Sequence, residues 1–151
     1  MKILALDMSS TMIGVCYDGK QFETIKLKGD DIAHRCRDAY RLIAGWVLAY
    51  GDIDLVVIES PIVIFKKPNG VIPQARVSGA VLAALDKESL AWIELKPKEA
   101  KKALTGRGDA KKSDMIAAAE HATGKTLNEH QADAYGLWKA GMALRVESEA
   151  A

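Results

Sequence analysis

The chain has 151 residues, a length that suits one domain (1–151) and one core without disulfide or metal support. Lys and Arg number 21 against 20 Asp and Glu, so the net charge of +1 excludes a bulk polycation or polyanion. Hydrophobic residues at 49% and charged residues at 27% exclude wholesale disorder, and no apolar run nears the ~20 residues of a membrane span.

The opening run Lys2 to Asp7 is continuously apolar before its carboxylate, the pattern of a strand buried on both faces. Its apolar core is too short for a signal peptide. Cys16 and Cys36 form no disulfide framework, so a cytoplasmic protein with reduced thiols is expected. Met12 to Tyr17 is a second strand, and Asp18-Gly19 a hairpin signal leading into a third over Gln21 to Leu27. Gly29-Asp30-Asp31 starts a helix whose apolar positions recur from Ile32 to Val47 until Gly51 ends it. Ile53 to Ile58 is another buried strand, again ending on a carboxylate, Glu59.

Beyond Ser60-Pro61, the segment Lys66 to Gly70 is a basic turn. Pro73 opens a helix to about Lys87 in which Gly79, Ala80, Ala83 and Ala84 allow close helix approach. Leu90 to Leu95 is a short strand. Helices follow over Pro97 to Leu104 and Asp109 to Ala122, with stops at Gly106 and Gly124, and Asn128 caps a last helix from Glu129 to about Leu144. A three-strand meander followed by alternating helix and strand predicts an α/β mixed sheet with helices packed on it.

Asp7 and Glu59 each close an apolar strand, where an ionised carboxylate is costly without a cation or donors. On neighbouring parallel strands the two meet at the edge where open α/β sheets bind ligands, a reading that stands level with the bland one for the pair; taken singly, each reads better as a solvent-facing strand cap. His130 and Asp133, three positions apart, share a helix face that continues through Leu137, Gly141 and Leu144 and is expected to be buried. These four ligands suit Mg²⁺ or Mn²⁺ better than zinc, and His34 and His121 are expected at the surface.

Lys96 to Lys112 carries seven cations (Lys96, Lys98, Lys101, Lys102, Arg107, Lys111 and Lys112) against Glu99 and Asp109, a net +5 that leaves −4 elsewhere. Lys66, Lys67 and Arg76 can add to this patch. Beside acidic metal ligands, such a rim fits a phosphate backbone.

These motifs, in this order, resemble the RuvC-type Holliday-junction resolvases of the RNase H-like (retroviral integrase) superfamily. Asp7 to Gly14 is similar to the first-strand motif, Ile58-Glu59 to the second acidic motif, and Gln74 to Gly79 to the start of the long helix. Lys101 and Lys112 around Gly106 and Gly108 resemble the two-lysine segment, and His130 to Ala134 the C-terminal acidic motif. The likeness spans residues 2 to about 143. Two departures stand out: many members have Asp where this chain has His130, and the aromatic wedge after the second acidic strand falls here on Phe65, with Ile62 at the usual place.

The resemblance implies a five-stranded RNase H-like sheet, a homodimer through the 73–87 helix, and paired nicks in a four-way DNA junction that leave 5′-phosphate and 3′-hydroxyl ends. It implies two ions per site, held by Asp7, Glu59, His130 and Asp133, with Lys112, or failing that Lys101, offsetting transition-state charge. Lys66, Lys67, Arg76, Lys98, Lys102, Arg107 and Lys111 are the expected DNA contacts. The imidazole of His130 predicts a preference for Mn²⁺ over Mg²⁺. The host is expected to be a bacterium or a phage-infected cell. The alternatives are another RNase H-like branched-DNA or RNA-processing nuclease, a non-cleaving junction-binding module, and an actin-like kinase or ATPase, which needs two such domains.

Overall fold

A computed structural model describes residues 1–61 and 68–150, with residues 68 and 146–150 described by their backbone alone. The strands are β1 (Ile3–Met8), β2 (Met12–Tyr17), β3 (Gln21–Lys26), β4 (Leu55–Glu59) and β5 (Trp92–Leu95). The helices are α1 (Ile32–Tyr50), α2 (Val71–Lys87), α3 (Pro97–Thr105), α4 (Lys112–Thr123) and α5 (Glu129–Ala150). One sheet in the order β3-β2-β1-β4-β5 combines the expected antiparallel meander with parallel β1/β4 and β4/β5 pairs. Asp18 and Gly19 take positive φ, 52° and 68°, and Lys20 N–H closes the turn on the Tyr17 carbonyl at 3.1 Å.

Strand alternation divides the core into two layers. Ile3, Ala5 and Val57 face α3, α4 and α5, whereas Leu4, Leu6, Val56 and Ile58 face α1 and α2. β1 and β4 are apolar on both sides because both layers cover them. The same period places Asp7 and Glu59 on the α5 face.

The helix ends follow the chemistry read from the chain. Asp31 caps α1 by accepting the His34 N–H at 2.8 Å. Gly106 and Gly124 end α3 and α4 in the left-handed region, at φ 80° and 68°. Asn128 and Gln131 exchange side-chain-to-backbone hydrogen bonds, both 3.0 Å, at the start of α5.

β4 and β5 begin two residues later than read from the sequence, at Leu55 and Trp92, and three helix boundaries differ by more than one residue. α2 begins at Val71, directly after a 3₁₀ turn over Pro68–Gly70, so Pro73 lies inside the first turn, where its missing N–H costs no helical bond. α4 begins at Lys112 rather than Asp109. Arg107 Nε is drawn to Asp109 at 3.1 Å and Arg107 N–H to Thr105 Oγ1 at 3.2 Å, which stabilises a turn there. α5 continues past Leu144, which is 45% exposed rather than buried, because the helix outruns the sheet beyond Gly141.

α5 crosses the sheet at backbone distance. A Cβ at Gly14 in β2 would stand 2.2 Å from the His130 carbonyl oxygen, and one at Gly141 would stand 2.6 Å from Val57 Cγ2. Glycine inside a strand marks such an approach. Gly14 pairs in register with Asp7, so this gap sets His130 over the carboxylate. Gly14→Ala is expected to force α5 outward and lower stability by about 1–3 kcal/mol, which chemical denaturation reads as a reduced midpoint with unchanged slope. An alanine variant as stable as the parent contradicts the backbone contact.

Cys16 is fully buried, and burial pushes its thiol up to about 12, whereas Cys36 is partly exposed. Since the thiolate is the reactive form, a disulfide-exchange reagent at mildly alkaline pH should titrate Cys36 alone in the native protein and both thiols in denaturant. Equal native reactivity of the two would contradict this packing.

Candidate active site

Asp7 and Glu59 stand side by side because Leu6 and Ile58, the residues before them, are register partners in the parallel β1/β4 pair. α5 brings Asp133 and His130 to the same edge, one helical turn apart. His130 Nδ1 meets Asp7 Oδ2 at 3.0 Å, with side-chain exposures of 29% and 13%. Gln74 Nε2 donates to the Met8 carbonyl at 3.0 Å and ties the first turns of α2 to the end of β1. Glu59, Asp133, Gln74, Lys101 and Lys112 line one cavity of about 480 Å³, with Asp7 and His130 outside its wall.

Like charges in a half-buried wedge raise their own proton affinity. Burial, then Asp7 and Asp133, push Glu59 up to about 8, against a lowering pull from Lys101. Burial, Asp7 and Glu129 push Asp133 up to about 6, with Lys101 and His130 opposing. His130 is raised above the usual imidazole value chiefly by its hydrogen bond to Asp7. The site therefore lacks positive charge, which a divalent cation would supply. Three carboxylates and one imidazole are a donor set that Mg²⁺ and Mn²⁺ accept. Among the described residues, no three such side chains are already converged on one point as ligands.

The two lysines expected at the site both reach the cavity, and they differ in partner. Lys101 acts on Glu59 and Asp133, whereas Lys112 is ion-paired with Glu129 on the first turn of α5, which holds its proton more tightly. Lys98, Lys111 and Arg76 are exposed, and Arg107 is exposed while paired with Asp109. Lys102 lines a separate cleft with Leu95 and Ala140. Phe65, Ile62, Lys66 and Lys67 lie outside the described residues. His34 and His121 are at the surface, as expected.

Sequence reading assigned no role to Gly14, Gln74 or Glu129. Only Gly14 carried a signal, a glycine in the middle of a strand. The pairings of Gln74 and Glu129 arise across elements distant in the chain.

No curated protein matches the chain. Among solved structures, Thermus thermophilus RuvC in complex with Holliday junction substrate matches with a TM-score of 0.82 and 19% identity, over 97% of this chain and 96% of that one. A second Thermus thermophilus RuvC structure matches at 0.80 and 18% identity, over 97% of each chain. The yeast mitochondrial Holliday junction resolvase Ydc2 matches at 0.67 and 10%, over 96% of this chain and 79% of that one. The family described as crossover junction endodeoxyribonuclease RuvC matches residues 15–136, a span that includes Glu59, both lysines, His130 and Asp133 but begins after Asp7. With most of its length matched, the chain belongs to the RuvC family of crossover junction endodeoxyribonucleases.

Proposed function

We propose that the protein resolves four-way DNA junctions by paired nicks that leave 5′-phosphate and 3′-hydroxyl ends. The observation that carries this reading is the meeting of Asp7, Glu59 and Asp133, from two adjacent strand ends and α5, beside a cavity rimmed by Lys101 and Lys112. The Thermus protein of the same fold is bound to a Holliday junction substrate, and the same class of substrate is assigned here on that likeness.

In this assignment the three carboxylates hold Mg²⁺ or Mn²⁺ through oxygen and His130 through nitrogen. When bound, two such ions supply a water of lowered pKa and stabilise charge on the leaving 3′ oxygen. The chain supplies the rest. Lys101 offsets the like-charge cluster from one side, and Lys112 exchanges Glu129 for a phosphate oxygen as the strand enters, placing an ammonium against transition-state charge. Lys98, Lys102, Arg107, Lys111 and Arg76, with Lys66 and Lys67, track the backbone, and Phe65 is the assigned wedge. The proposed setting is the cytoplasm of a bacterium or phage-infected cell; among the described residues no helix is long and apolar enough to cross a membrane.

Asp7→Asn should retain junction binding and lose nicking by about a hundredfold or more, because an amide brings no charge to the ion. The same nicking assay should show the parent preferring Mn²⁺, His130→Asp gaining Mg²⁺ use, and His130→Ala losing most cleavage in both metals. An Asp7→Asn protein that cuts as fast as the parent would overturn the two-metal assignment.

Two nicks in a two-fold-symmetric junction call for two sites related by a two-fold axis. The 73–87 stretch of α2 is the proposed contact, since Gly79 faces open space and Ile72, in the first turn of the same helix, is 61% exposed. Light scattering at micromolar concentration should report a dimer, and Gly79→Arg should yield a monomer that leaves single nicks unpaired. A monomeric parent, with and without DNA, removes the concerted mechanism.

A further inference from the structure

The low net charge of the chain outside Lys96 to Lys112 conceals a second basic surface, on α1. Arg37 and Arg41 follow His34 at helical spacing on one exposed face, and with Lys28 these residues line a cleft of about 220 Å³. Of the nearby acids, Asp30 is exposed, while Asp31 and Asp38 are held in local hydrogen bonds. Asp38 accepts the Lys28 backbone N–H at 2.7 Å, and Asp31 holds both the His34 N–H and its Nδ1, each at 2.8 Å. Among the described residues, the side chains of Lys28, Arg37 and Arg41 have no hydrogen-bond or ion-pair partner. On the same helix, Arg35 Nε is buried without a partner.

The place of this cleft gives it meaning. Leu27 N–H donates to the Thr11 carbonyl at 2.8 Å, in the β1–β2 turn that follows the strand of Asp7. Lys28 therefore stands at the carboxylate end of the sheet, beyond β3, while Lys101 and Lys112 stand on the α3–α4 side. α1 runs from that end along the sheet face opposite the acidic site, so its cations form a surface separate from the lysine segment. We infer that Lys28, Arg37 and Arg41 hold the phosphate backbone of a duplex arm of the junction away from the nick, an inference that rests on the junction-resolving reading above. A duplex presents a phosphate for about every 1.7 Å of its axis, so an arm passing this end of the sheet meets cations that lack other partners. Guanidinium groups suit phosphate oxygens through paired N–H donors.

The test compares the parent with a Lys28→Gln/Arg37→Gln/Arg41→Gln protein, and with Arg41→Gln alone should the triple variant not fold. Binding to four-way junctions with arms of about one and about three helical turns is measured across a salt series. The triple variant should bind the long-armed junction about tenfold or more weakly near physiological salt, with a log–log salt slope shallower by about 2 to 3. Arg41→Gln should soften the slope by about 1, and the deficit should grow with arm length. A variant that matches the parent in affinity and slope overturns the inference while leaving the nuclease reading intact. A deficit equal for short and long arms overturns the arm assignment. Unchanged junction binding with lost retention of polyglutamate overturns it in favour of an acidic protein partner. A parent that binds no four-way junction overturns both readings together.

Discussion

The approach of α5 to the sheet at backbone distance is the constraint on which the site depends. A helix flanked by ordinary side chains packs with its axis about 10 Å from a neighbour, too far for short acids to meet carboxylates at strand ends. Here Gly14 removes the intervening Cβ under His130, and Gly136 and Gly141 remove it on the helix itself, beside Ala100 and Val57. Leu137 between them is fully buried, contributing about 1.5–3 kcal/mol as an apolar anchor. Asp133 and His130 are thus carried to Asp7 and Glu59 by apolar packing, not by their own attraction.

That arrangement works against the metal-free fold. Glu59 ionises near 4.3 in an unfolded chain and near 8 when folded, so the folded state binds the extra proton and its stability falls as pH rises between those values. Asp133 contributes in the same direction up to about 6. The fold tolerates this with Lys101 nearby and an imidazole on Asp7, and two buried layers of aliphatic side chains outweigh it. Bound cations reverse the sign of the electrostatic term, which couples ion binding to stability. The apolar scaffold thus holds a cluster of like charges at the sheet edge that an ion would neutralise.

The glycine at position 14 and the basic cleft beside α1 share a lesson about net quantities. A glycine inside a strand weakens the strand taken alone, yet here it permits the helix contact that forms the site. Likewise the chain outside the lysine segment is acidic in sum, but Lys28, Arg37 and Arg41 gather along one cleft. Only the geometry shows where charges of one sign gather.

Sequence alone determined the local features whose physics is local. Apolar runs over Ile3 to Leu6 and Leu55 to Ile58 signalled strands covered on both faces, Asp18-Gly19 the hairpin, and Asp31, Gly51, Gly106, Gly124 and Asn128 the helix ends. Spacing also put His130 and Asp133 on one face, and the ordered motifs pointed to the family. Tertiary structure decided what depends on distance across the chain: that Lys101 acts on Glu59 and Asp133 while Lys112 is held by Glu129, and that His130 bonds Asp7. It also decided that Leu144 is exposed and that α2 begins at Val71, since burial at a helix end depends on where the sheet beneath it stops. Pairing energies fall off over a few ångströms, and residues 123 positions apart, such as Asp7 and His130, acquire such a distance only when the two core layers close.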